Sequence, residues 1–95
     1  MATLLSQEEI AQRLSGLDGW ELQGKEIARL FLFADFKAAL HFVDDVGEAA
    51  ETANHHPDID IRWNKVLLRL STHSKGGLTE KDFALAAEIN RLKEP

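Results

Sequence analysis

The chain has 95 residues, enough for one hydrophobic core and too few for two. Hydrophobic residues make up 44%, which excludes a disordered chain, and no apolar run approaches the roughly 20 residues of a membrane span. Net charge is −5 with lysines and arginines scattered singly among acids, which argues against nucleic acid, and the lack of cysteine excludes disulfides, thiolate metal sites and a cysteine nucleophile.

The start "MATLLSQEE" has neither the basic opening nor the long apolar stretch of a secretion signal, so the expected compartment is the cytoplasm. Ser6 followed by Glu9 is a capping-box spacing that opens a first helix, and Gly16 with Asp18-Gly19 ends it. "WELQ" and "EIARLFLF", separated by Gly24-Lys25, read as a hairpin. Leu30 to Phe33 is apolar at every position, which predicts a strand covered on both faces.

Asp35 then caps a long helix. Phe36, Leu40, Val43, Val46, Gly47 and Ala50 recur at helical spacing as one apolar stripe, with His41, Asp44, Asp45 and Glu48 opposite. Pro57 stops this helix or follows its end closely. A second hairpin is expected around an Asn64-Lys65 turn. That register sets Trp63 against Val66, Ile61 against Leu68, Ile59 against Leu70 and Asp60 against Arg69; extended, it sets His56 against His73. "SKGG" leads to a last helix opened by Thr79 and Asp82, with Phe83, Ala86, Ala87 and Ile89 to Leu92 as its apolar face. The order α-β-β-α-β-β-α predicts an α+β fold, a four-stranded antiparallel sheet with three helices on one face, as a single domain over 1–95.

Three of the four histidines lie in "ETANHHPDIDIRWNKVLLRLSTH", at the two ends of one hairpin. Glu51 and His55 are four apart, so a helix reaching His55 lets the carboxylate orient that ring. The expected result is one carboxylate and three imidazoles about a common point. Such a cluster admits three readings. The imidazoles are merely helix-end and strand-end surface residues; or they ligate zinc or iron as in a metal-dependent hydrolase, although no HExxH-like spacing is present; or they perform acid–base chemistry near neutral pH. His41 with Asp45 reads as a solvated surface pair, "KGGLT" as a flexible turn, and Trp20 and Trp63 as core residues, either of them also able to wall a flat aromatic ligand.

This pattern resembles the pterin-4a-carbinolamine dehydratase family. Glu51, His55-His56-Pro57, Trp63, His73 within "STH" and Asp82 match its motif in order and spacing, alongside "GW" at Gly19-Trp20, "NKV" at Asn64 to Val66 and "GLTEKD" before the last helix. The resemblance implies an enzyme that needs no metal or cofactor. It removes water from 4a-hydroxytetrahydropterins to give quinonoid dihydropterin, in tetrahydropterin recycling. Carried over, His55 and His73 move protons, Glu51 orients His55, and His56 holds the pterin with Asn54, Thr72 and Trp20. Homodimers or homotetramers are implied as well. Ile59 and Asn54 depart from the mammalian pattern, which has an aromatic residue and an aspartate there. The alternative on the same fold is a protein-interaction or assembly module with a vestigial site; relatives of that kind typically lose motif residues, and this chain keeps them all.

Overall fold

The computed structural model describes residues 3–93. Its elements are α1 (Gln7–Ser15), β1 (Glu21–Gln23), β2 (Glu26–Leu32), α2 (Phe36–Ala53), β3 (Asp58–Arg62), β4 (Lys65–Leu70), a short 3-10 turn at His73–Lys75 and α3 (Glu80–Lys93). The four strands form one antiparallel sheet in the order β1-β2-β4-β3. The expected fold class and element order are those observed.

Local signals set the boundaries. Ser6 Oγ accepts the Glu9 N–H at 3.2 Å while Glu9 Oε1 accepts the Ser6 N–H at 2.8 Å, so the capping box at α1 is complete. Asp35 caps α2 by accepting the Ala38 N–H at 2.8 Å. At its other end α2 stops in a left-handed Asn54, φ 51°, three residues before Pro57. Gly19 also has positive φ, at 83°, and a β-carbon there would overlap the Arg29 side chain. That close approach lets Arg29 donate to the Asp18 carbonyl at 3.0 Å and to Asn90 Oδ1 at 2.6 Å, tying the α1–β1 loop to the end of α3.

The core lies between one face of the sheet and the helices. Ile27, Phe31, Val66, Leu68 and Leu70 are buried beneath α2 and α3. On α2 the buried residues are Ala39, Phe42, Val46 and Ala50, so the stripe is rotated from the expected one and Phe36 and Leu40 are exposed. Phe42 is the residue that decides the rotation. Its ring lies 4.8 Å from Phe31 and 5.0 Å from Phe33, an aromatic contact that outweighs the smaller side chains beside it.

Two further expectations are corrected. β2 is covered on one face only, because Leu30 and Leu32 point to the outer side of the sheet and are exposed. The second hairpin turns at Trp63-Asn64, not Asn64-Lys65: Arg62 faces Lys65, Ile61 faces Val66, Ile59 faces Leu68 and Asp58 faces Arg69. The pairing is displaced by two residues. A two-residue slip keeps every side chain on its face, so alternation cannot distinguish the two registers. Tertiary contacts decide instead: the Asn64 amide donates to the Phe33 carbonyl at 2.8 Å, and the Phe33 N–H donates to the Asn64 carbonyl at 2.9 Å. Trp63 is thereby thrown outward, 67% exposed, and is not a core residue.

Candidate active site

The site begins where α2 ends. The left-handed Asn54 breaks the helical path, so His55 no longer stands one turn above Glu51. The His55 ring instead swings inward, with its side chain 11% exposed, and Nε2 lies 2.6 Å from Oδ1 of the fully buried Asp82. His56 swings outward, and its Nε2 lies 2.5 Å from Glu51 Oε2 at the protein surface. The expected Glu51–His55 pair is therefore not formed. The pairs present are Asp82–His55 and Glu51–His56.

Asp82 stands in the first turn of α3, where backbone N–H groups and the helix dipole favour a carboxylate. Its second oxygen, Oδ2, accepts the Thr79 N–H at 2.9 Å and the Thr72 hydroxyl at 2.8 Å. Thr72 and Thr79 touch through their hydroxyls at 2.8 Å. One buried carboxylate thus links the segment carrying His55 and His56 to the segment carrying Thr72 and His73, 27 and 10 residues away from Asp82 along the chain. The spacing Thr79-x-x-Asp82 disclosed the cap; the shared use of its carboxylate by His55 has no local signal.

The remaining expected residues divide. His73 lies in the 3-10 turn and is exposed, making no side-chain hydrogen bond among the described residues. It does not stand opposite His56 in a ladder, because β3 starts at Asp58 and Thr72 bridges to Gly77 instead. Thr72 is buried with its hydroxyl committed to Asp82. Asn54 is exposed at the helix end. Trp20 is core: its indole N–H donates to Asn90 Oδ1 at 2.8 Å and its ring meets Phe31 edge-on at 6.2 Å. Trp20 is thus a core residue, as its sequence context predicts.

Two clefts flank these groups. His55 lines a cleft of about 570 Å³ between α2 and α3, where Ala49, Ala53, Ala84, Leu85 and Leu92 form an apolar wall beside the charged Asp45, Glu48, Lys81 and Glu88. His73 lines a smaller one of about 280 Å³ with Ser71, Gly77 and Lys25. The imidazoles therefore do not crowd about one point, and among the described residues no three of His, Asp or Glu are gathered closely enough to ligate a metal ion. The arrangement can hold one imidazole rigidly against a buried anion, with two more nearby on the surface. That is equipment for moving protons. No helix among the described residues is long and apolar enough to cross a membrane.

Known proteins share this sequence and fold. A protein of Roseiflexus castenholzii named "Putative pterin-4-alpha-carbinolamine dehydratase" is 55% identical over 92 residues, covering 97% of this chain and 99% of the relative. One of Acidobacterium capsulatum with the same name is 57% identical over 88 residues, covering 93% and 96%. A crystal structure of a transcriptional coactivator/pterin dehydratase from Brucella melitensis superposes with a TM-score of 0.93 at 35% identity, over 97% of this chain and all of the other. A pterin dehydratase-like protein identified as a RuBisCO assembly factor in the alpha-carboxysome superposes at 0.67 with 26% identity, over 78% of this chain and 88% of its own. The profile of one family, described as pterin 4 alpha carbinolamine dehydratase, matches residues 3–92. Matched by that profile over residues 3–92 and by relatives covered nearly end to end, the chain belongs to the pterin 4 alpha carbinolamine dehydratase family.

Proposed function

We propose that this protein is a 4a-hydroxytetrahydropterin dehydratase that works by histidine acid–base catalysis in the recycling of tetrahydropterins. The observation that carries the reading is the Asp82 carboxylate, which holds His55 at 2.6 Å and also anchors Thr72, the neighbour of His73. Expulsion of the 4a-hydroxyl needs a proton on the departing oxygen, because hydroxide is a poor leaving group. The N5 lone pair drives the expulsion and the N5 proton then leaves, giving quinonoid dihydropterin and water. His55 and His73 supply and remove these protons, and His56, supported by Glu51, holds the pterin. The barrier of the spontaneous reaction is low, so acid–base catalysis of roughly 10²–10⁴-fold is the appropriate scale.

The protein acts in the cytoplasm as a single domain, without metal or cofactor and without a nucleic-acid or membrane partner. It self-associates as a homodimer or homotetramer; Leu30 and Leu32, exposed on the uncovered side of the sheet, are apolar surface that a second copy would bury. A second reading, an interaction or assembly module, is favoured by one feature, the apolar cleft between α2 and α3. The test is the rate at which freshly generated 4a-hydroxytetrahydropterin loses water, followed by ultraviolet absorbance. Acceleration by the folded protein supports the dehydratase; an unchanged rate rejects it and leaves the assembly module.

A further inference from the structure

We propose that Thr79, Thr72 and Asp82 form a one-directional hydrogen-bond relay that fixes the tautomer of His55, so that His55 exchanges protons through Nδ1. The catalytic consequence rests on the dehydratase reading; the tautomer does not.

The direction of each bond can be worked out. A backbone N–H only donates, so Thr79 N gives its proton to Asp82 Oδ2 at 2.9 Å. The Thr72 hydroxyl also donates to Oδ2, at 2.8 Å. A hydroxyl has one proton, so Thr72 Oγ1 must accept in its 2.8 Å contact with Thr79 Oγ1, and the Thr79 hydroxyl is the donor. Thr79 Oγ1 in turn accepts the Lys81 N–H at 3.3 Å. Every proton on this side points toward the carboxylate. A proton on Oδ2 would reverse the sequence of hydroxyls. A proton on Oδ1 would leave that sequence intact but set a neutral acid in the first turn of α3, where an anion is favoured.

That leaves Oδ1, which faces His55 Nε2 at 2.6 Å. A carboxylate oxygen can only accept, so Nε2 carries the hydrogen. A neutral imidazole has one N–H, hence the lone pair is on Nδ1. Among the described residues His55 Nδ1 makes no hydrogen bond, and the ring lines the cleft between α2 and α3. Nδ1 is therefore the atom that takes or gives the proton. When it is protonated the ring is an imidazolium facing the Asp82 carboxylate. Asp82 and Thr72 are positioning residues, and Thr72 acts through Asp82 instead of touching the pterin.

Substitution of Asp82 by asparagine gives a sharp test. Two donors converge on the Oδ2 position, so the amide oxygen must occupy it. The amide NH₂ then faces His55 Nε2, which can meet it only as an acceptor, and the tautomer inverts. Long-range proton–nitrogen correlation spectra of the uniformly nitrogen-15-labelled, full-length protein at mildly alkaline pH read this without substrate. The expected wild-type pattern is a proton-bearing Nε2 and a pyridine-type Nδ1; the expected Asp82→Asn pattern is the reverse, with kcat roughly 10²-fold lower and KM little changed. Thr72→Val should lower kcat about tenfold, with Thr72→Ser restoring it. A wild-type His55 carrying its hydrogen on Nδ1 overturns the proposal, as does a folded Asp82→Asn protein that keeps the wild-type tautomer. If Asp82→Asn does not fold, the wild-type spectrum and the Thr72 pair decide. An Nε2–H tautomer in a protein without dehydratase activity would leave the relay standing and remove the reaction assigned to it.

Discussion

Replacing Glu51 with glutamine separates the two ways in which the Glu51 carboxylate can serve the site. Spacing alone joins Glu51 to His55, whereas the structure joins it to His56 at 2.5 Å. The Glu51 side chain is 75% exposed and that of His56 55%, so water and salt screen the pair. Exposed ion pairs are worth about 0–1 kcal/mol. At about 0.6 kcal/mol for RT this is at most about a fivefold change in an equilibrium. Because His56 is assigned to holding substrate, the loss falls on binding. Glu51→Gln should raise KM by up to about fivefold and leave kcat within about twofold. Added salt should move the wild-type KM toward that of the variant, since an exposed pair weakens as the Debye length falls from about 10 Å at 0.1 M to about 3 Å at 1 M. Steady-state dehydration kinetics at low and high ionic strength measure both. A fall in kcat of roughly 10²-fold at unchanged KM would refute the reasoning, because a loss of that size belongs to the proton-transfer histidine.

Four substitutions test the packing and one surface ion pair. Phe42→Ala should cost about 3–5 kcal/mol, since a buried ring in contact with Phe31 and Phe33 is removed; Trp63→Ala should change stability by no more than about 0.5 kcal/mol, its ring being in solvent. Urea denaturation that ranks the two the other way would contradict the observed hairpin register. Gly19→Ala should cost at least about 1–2 kcal/mol from the left-handed backbone alone. It should also displace Arg29 from Asn90, so an unchanged melting temperature would contradict the close packing there. The hydrogen-bonded Arg13 guanidinium holds the Glu80 carboxyl below the ordinary value of 4.5. A depressed carboxyl stabilises the folded state fully above about pH 4.5, and that contribution is lost as pH falls further. Wild type and Glu80→Gln should therefore differ in urea midpoint at neutral pH and converge in acid; a gap that widens in acid would reverse the sign.

The parts of the fold legible in the sequence are those set by neighbours along the chain. Ser6 with Glu9, Asp35, and Thr79 with Asp82 each cap a helix through atoms three residues apart, and all three caps form. The hairpin register was not legible, because alternation of Ile59 and Ile61 repeats every two residues and the deciding contact, Asn64 with Phe33, spans 31 residues. β2 misled for a related reason: an unbroken apolar run cannot say which face lacks a cover, and Leu30 and Leu32 have none. In the candidate site, the histidines stood out in the sequence by their grouping at the two ends of one segment. Their partners were not. The reversal at Asn54 breaks the four-residue spacing that joined Glu51 to His55, and the replacement, Asp82, lies 27 residues on.

The central claim is that this family member dehydrates a 4a-hydroxytetrahydropterin through His55 and His73. The most direct measurement is the single-turnover dehydration rate of wild type, His55→Ala, His73→Ala and the double variant, each shown to be folded. The expected result is wild-type acceleration, a loss of roughly 10²-fold or more in each single variant, and little further loss in the double, since proton delivery and removal serve one elimination. Single variants that keep the wild-type rate would contradict it.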